Sequence, residues 1–219
     1  MIKIGLQHFG GRGASSGGGS WSGGGGGNAD IISTTSLVSA REGNQTEVDE
    51  VLGTFKDMND EYGYIADDLH LATMGAKDAS VLAYYDGSNV AFNQAFFDKA
   101  KMESVYAKCV ESGFHPSQGN KTALQAVASH EIGHALTDAT IAKMGKSLGK
   151  KDGAEAILDE ARKGTGHKGN PAMASKISGY AKTSARECIA EAVADVYCNG
   201  KKAHKESQAI VNVMNKYLK

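Results

Sequence analysis

The strongest chemical signal in the chain is the run His130-Glu131-Ile132-Gly133-His134. Two histidines four positions apart on a helix project from one face, near enough for both imidazoles to bind a single Zn²⁺. Glu131, next to the first histidine, would then stand beside the metal's open position, where a bound water needs a general base. The bland alternative is a pair of core histidines flanking a surface glutamate. It leaves two imidazoles and a carboxylate on a largely apolar helix without a purpose, and polar groups are costly to bury unpaired.

An element must hold these groups rigidly, and the flanking pattern supplies one. Leu124, Ala128, Ile132 and Leu136, with Val127 and Ala135, recur at helical spacing, so a buried amphipathic helix is expected over residues 122–140. Thr122 or Asn120 offers its N-cap. The five-residue string resembles the zinc motif of zincin metalloproteases. A catalytic zinc takes three protein ligands plus water, so a third must come from elsewhere. A further histidine six residues after the second is excluded, because Thr140 stands there and Thr137 replaces the glycine of that arrangement. Downstream, the densest acidic helix is residues 185–197, where Glu187, Glu191 and Asp195 lie four apart on one face. Any two of these carboxylates could share the metal's neighbourhood, and the competing reading is a solvated acidic face.

The stretch Tyr180-Ala181-Lys182-Thr183-Ser184-Ala185-Arg186-Glu187-Cys188-Ile189-Ala190-Glu191-Ala192 resembles the second active-site motif of the anthrax lethal factor and Pro-Pro endopeptidase group of gluzincins. In that group a tyrosine lies seven residues before the ligand glutamate. The resemblance implies that Glu187 is the third ligand, that Glu191 supports a ligand histidine from behind, and that the Tyr180 phenol assists the transition state. A thermolysin-like register would instead make Glu191 the ligand and let Asp195 orient a histidine; only the first register gives Tyr180 a role. Where the group often carries Phe-Phe, this chain has Cys188-Ile189, which leaves the cleft wall and substrate preference open.

The remaining composition narrows the function classes. At 219 residues the chain holds one sizeable domain with a proper core. Its formal net charge of -1, with both signs interspersed, gives no footprint for nucleic acid or a membrane surface. Lys201, Lys202, His204 and Lys205 read as a solvated face. No apolar run reaches membrane-spanning length and no signal peptide is seen, so a cytoplasmic (bacterial host) or virion-associated location is expected. Cys109, Cys188 and Cys198, an odd count at irregular spacing, fit a reducing compartment better than a disulfide scaffold. Residues 1–29 are expected to be a flexible tail, glycine- and serine-rich over residues 10–27, in which Trp21 is the one aromatic that could mark a docking contact. The opening Met1-Ile2-Lys3-Ile4-Gly5-Leu6-Gln7-His8-Phe9-Gly10-Gly11-Arg12-Gly13 resembles the start of many bacteriophage and prophage structural-region proteins.

The folded domain is expected over residues 30–219. Val48, Val51, Leu52, Phe55 and Met58 predict a first helix ending before Gly63. Short strands follow at residues 68–74, 80–85 and 89–93, the last two joined as a hairpin through Asp86-Gly87-Ser88. The zincin resemblance implies that Val90 to Asn93 pair with an extended substrate. A helix is expected at 94–112 and another at 153–163, while residues 164–171 read as a loop. His115 reads as a solvent-facing loop histidine, and His167 as part of an exposed insertion, with a fourth-ligand or substrate contact as the lesser alternative. The expected class is therefore α+β, with a small sheet packed on the metal helix and a mainly helical C-terminal half. Two functions follow. One is a zinc-dependent endopeptidase binding one Zn²⁺ and acting on a protein or peptide, with His130, His134 and Glu187 as ligands and Glu131 and Tyr180 as catalytic groups. The other is a phage head-assembly protein, with virion or assembly partners, whose zinc is mainly structural.

Overall fold

A computed structural model describes residues 30–63, 66, 68–147 and 151–219. The expected tail at 1–29, with Trp21 and the phage-like opening, lies outside the described residues. Among the described residues the strands are β1 (Ile31–Ser36), β2 (Asp68–Met74), β3 (Ala83–Tyr85) and β4 (Asn89–Asn93), in a four-stranded mixed sheet of order β1-β2-β4-β3. β3 and β4 make the expected hairpin, with Tyr85 opposite Val90. Its turn is held by Asp86, whose Oδ1 accepts the N–H groups of Ser88 and Asn89 at 2.8 Å, while Gly87 takes the positive φ of 108°. β4 also pairs in parallel with β2, Leu69 opposite Val90 and Leu71 opposite Phe92. Both edges of β4 are thus occupied, so Val90 to Asn93 cannot add a substrate strand as expected; the outer strands of the sheet are β1 and β3.

Helices α1 (Gln45–Tyr62) and α2 (Lys99–Glu111) precede α3 (Ala123–Lys143), and α4 (Lys151–Arg162), α5 (Asn170–Ala174), α6 (Ala185–Asn199) and α7 (Lys205–Leu218) follow it. The architecture is α+β with a mainly helical C-terminal half. The helix expected from residue 94 begins at Lys99, because the Asp98 carboxylate accepts the N–H of Lys101 and caps it there. Among the described residues no helix is long and apolar enough to cross a membrane.

Two helices form the centre of the molecule. From Ala123 to Thr137 every residue of α3 except Gln125 is buried, and α6 is buried from Glu187 to Asp195. Both helices are buried through their middle turns, apolar and polar residues alike, and they pack on each other. They cross closely because residue 133 is glycine: a Cβ there would come within 2.7 Å of the Ala190 Cα. Arg186 and Asp138 add an ion pair of 2.5 Å between them. β3 and α1 also pack against α3, and α1 reaches α6 through the Tyr197 hydroxyl, which donates to Thr54 Oγ1 at 3.4 Å.

Candidate metal centre

The close crossing brings the His130–His134 run and the acidic helix face to face. Thr122 caps α3 through a reciprocal pair with Gln125, which starts the helix in a register that puts His130 and His134 toward α6. Ser184 caps α6 by accepting the N–H of Glu187, fixing that carboxylate in the first turn. The Glu187 Oε2 atom lies 3.1 Å from His130 Nε2 and 3.3 Å from His134 Nε2. The three residues are buried and offer ligand atoms within 4.8 Å of one another, so the group could hold a metal ion. Two imidazole nitrogens and a carboxylate oxygen converging inside a core form a donor set suited to a divalent cation.

Glu131 is fully buried beside this group, and among the described residues neither of its oxygens has a hydrogen-bond partner. Burial pushes its pKa up to about 8, helped by the negative charge of Glu187 and opposed by His130. Burial acts the same way on Glu187, but His134 and His130 override it and hold that carboxylate well below its ordinary range. In the metal-free protein His130 is drawn the other way: burial disfavours its charge, yet the hydrogen bonds to Glu187 and Glu191 raise its pKa. An ion entering the cluster must therefore displace a proton shared between His130 and its carboxylates.

The other residues singled out by sequence divide sharply. Glu191 lies behind His130, its Oε1 3.0 Å from His130 Nδ1, the side away from Glu187. Tyr180, in a short 3-10 turn leading into α6, is buried with its ring centroid 5.9 Å from that of His130. Asp195 is turned elsewhere: its carboxylate accepts from the His204 backbone, the His204 ring and Asn199, closing the turn after α6. That geometry removes the basis for the register in which Asp195 orients a metal histidine. All three acidic residues of α6 are buried, at 8%, 1% and 1% exposure, so the solvated-face reading fails.

Two loop histidines lie in different surroundings. His167 is not part of the cluster; its Nε2 contacts Glu206 at 2.8 Å, near the start of α7. His115 is not exposed: at 2% exposure its Nδ1 lies 3.0 Å from Glu191 Oε1. Ser178 was not singled out, yet its hydroxyl donates to Glu191 Oε2 at 2.7 Å. For His115 the signal was its setting between Phe114 and Pro116, an apolar frame for a supposed surface loop. Ser178 carries no such signal. No protein-family model matches the sequence, and no characterised protein or solved structure is significantly similar to it.

Proposed function

We propose that the chain is a zinc-dependent endopeptidase of the zincin type, in which His130, His134 and Glu187 hold one Zn²⁺. The observation that carries this reading is the convergence of two imidazole nitrogens and a carboxylate oxygen beside a buried Glu131 that has no hydrogen-bond partner among the described residues. Bound there, zinc would supply a Lewis acid and a water acidified toward a pKa of about 7. Glu131 takes the proton of the attacking water on its carboxylate and later delivers it to the leaving amine. A carboxyl whose affinity for protons is raised by burial is fitted to do both near neutrality. Tyr180 donates its phenolic proton to the oxyanion that develops at the scissile carbonyl, an interaction realised only in the transition state. Glu191 accepts the Nδ1 proton of His130 and so fixes the tautomer whose Nε2 lone pair faces the cluster.

A structural zinc site is closed by four protein ligands, whereas the cluster among the described residues has three, with a carboxylate suited to be a base beside it. That favours the peptidase over an assembly protein with a structural ion. The test is metal analysis together with peptide-library cleavage on the wild type and Glu131→Gln. One equivalent of zinc in both and cleavage by the wild type alone is the expected result; cleavage by the variant would refute Glu131 as the base.

A further inference from the structure

Both oxygens of Glu191 are committed. Oε1 lies 3.0 Å from the Nδ1 atoms of both His130 and His115, and Oε2 accepts the Ser178 hydroxyl at 2.7 Å. Ser178 Oγ itself accepts the N–H of Ala181 at 2.9 Å, which leaves its own proton for Glu191. A carboxylate only accepts, so the His115 Nδ1 bonded to it carries an N–H, while His130 Nδ1 stands at ion-pair distance from the same oxygen. His115 is held for this contact from several directions. Its ring stacks on Tyr106 at 5.5 Å and 8°, and meets Phe114 and Tyr180 edge-on at 4.9 and 5.4 Å. The Tyr106 hydroxyl donates to the carbonyl of Pro116, the next residue. Backbone hydrogen bonds from Gly179 to Gly113 and from Tyr180 to Phe114, at 2.8 and 2.9 Å, join the His115 loop to the turn that carries Tyr180. Gly179 permits that approach, since a Cβ there would lie 3.2 Å from the Phe114 Cα.

From this arrangement we infer that His115 is a positioning residue of the metal centre: through Glu191 it fixes His130, and through its ring it seats Tyr180. The inference rests on the zinc reading above. An aromatic box alone would be filled as well by phenylalanine; what only an imidazole supplies is the N–H that Glu191 Oε1 accepts. Without it the carboxylate can turn toward Ser178, and His130 loses the partner that selects its tautomer. Groups that hold a ligand histidine from behind are worth about 10- to 100-fold in metal affinity.

The experiment measures Zn²⁺ dissociation constants by chelator competition, and the visible spectrum of the Co²⁺-substituted protein, for wild type, His115→Phe and His115→Asn. Asparagine places an amide N–H near the position of Nδ1; phenylalanine keeps the packing and removes it. The expected result is zinc binding weakened by about 10- to 100-fold in H115F with an altered Co²⁺ spectrum, and recovery of most of both in H115N. Without metal, H115F should melt below the wild type, because Glu191 loses a buried partner, and H115N should recover most of that loss. Wild-type affinity in H115F, or equal losses in both variants accompanied by equal drops in metal-free stability, would overturn the inference. Should H115F fail to fold, Ser178→Ala decides: weaker zinc binding supports the role of a fixed Glu191, and unchanged binding refutes it. A wild-type protein that takes up no zinc would bring down the metal centre itself, an outcome distinct from zinc uptake that ignores His115.

Discussion

Glu131 is a fully buried carboxyl with no hydrogen bond among the described residues, and this makes its ionisation visible in stability. Its pKa is about 8 in the folded metal-free protein against an ordinary 4.5. Below the lower value both folded and unfolded states are protonated and the native state keeps its full stability. As pH rises toward 8 the unfolded chain releases a proton that the folded one retains, and stability falls by about 1.4 kcal/mol per pH unit from this group. Glu131→Gln, which cannot ionise, should therefore melt higher than wild type at pH 8 and close to it at pH 5, measured without metal; equal differences at both would contradict the buried, unpaired carboxyl. Tyr180→Phe should lower kcat by roughly 100-fold or more with little change in KM, since its phenol is assigned to the transition state alone. The residues of these predictions were legible because each lies at a fixed offset along one helix or one motif. His115 and Ser178 were not, because their contacts with Glu191 bridge 76 and 13 residues of chain and depend on how a loop folds onto α6.

The α3–α6 crossing is the element on which the site depends, and Gly133 sets its distance. A methyl group at residue 133 would press on the Ala190 backbone, which cannot move aside as a side chain can. Gly133→Ala should destabilise the protein by about 1–3 kcal/mol, as overpacking does. It should also weaken zinc binding by spreading His130 and His134 from Glu187; unchanged metal affinity in a folded G133A protein would show that the crossing does not set the donor geometry. At this scale periodicity gave the two helices and the hairpin, because buried α-helical faces and a turn such as Asp86-Gly87-Ser88 leave local marks. β1 left none: Ile31–Ser36 is exposed apart from its half-buried first residue, so no alternation betrays it, and its pairing partner lies more than 30 residues away. The parallel pairing of β2 with β4 was equally illegible, being a choice among strand orders that local sequence does not record.

For the molecule as a whole, the ion should act as a ligand of the native state. At a free concentration 1,000 times its dissociation constant zinc adds about 4 kcal/mol, which for a domain of this size raises the melting temperature by on the order of 10 °C. Chelator should reverse that rise and abolish cleavage together, and restored Zn²⁺ should return both; a melting temperature indifferent to chelator would argue against the cluster as a high-affinity site. The proton held between His130 and its carboxylates gives the sign of the pH effect on binding: affinity declines as the solution is acidified.

The two helices that furnish the donors are distant in sequence, His130 and Glu187 being 57 residues apart, with α4 and α5 in the intervening stretch. Tying such ends together in a floppy polymer would cost about 3–4 kcal/mol in closure entropy. Here that cost is met in advance by aliphatic side chains such as Ile132, Ile189 and Val193, which never touch a cation. Affinity for an ion held there would in this sense be borrowed from hydrocarbon, so damage to greasy residues several ångströms off should register as weakened chelation before it registers as loss of the native state.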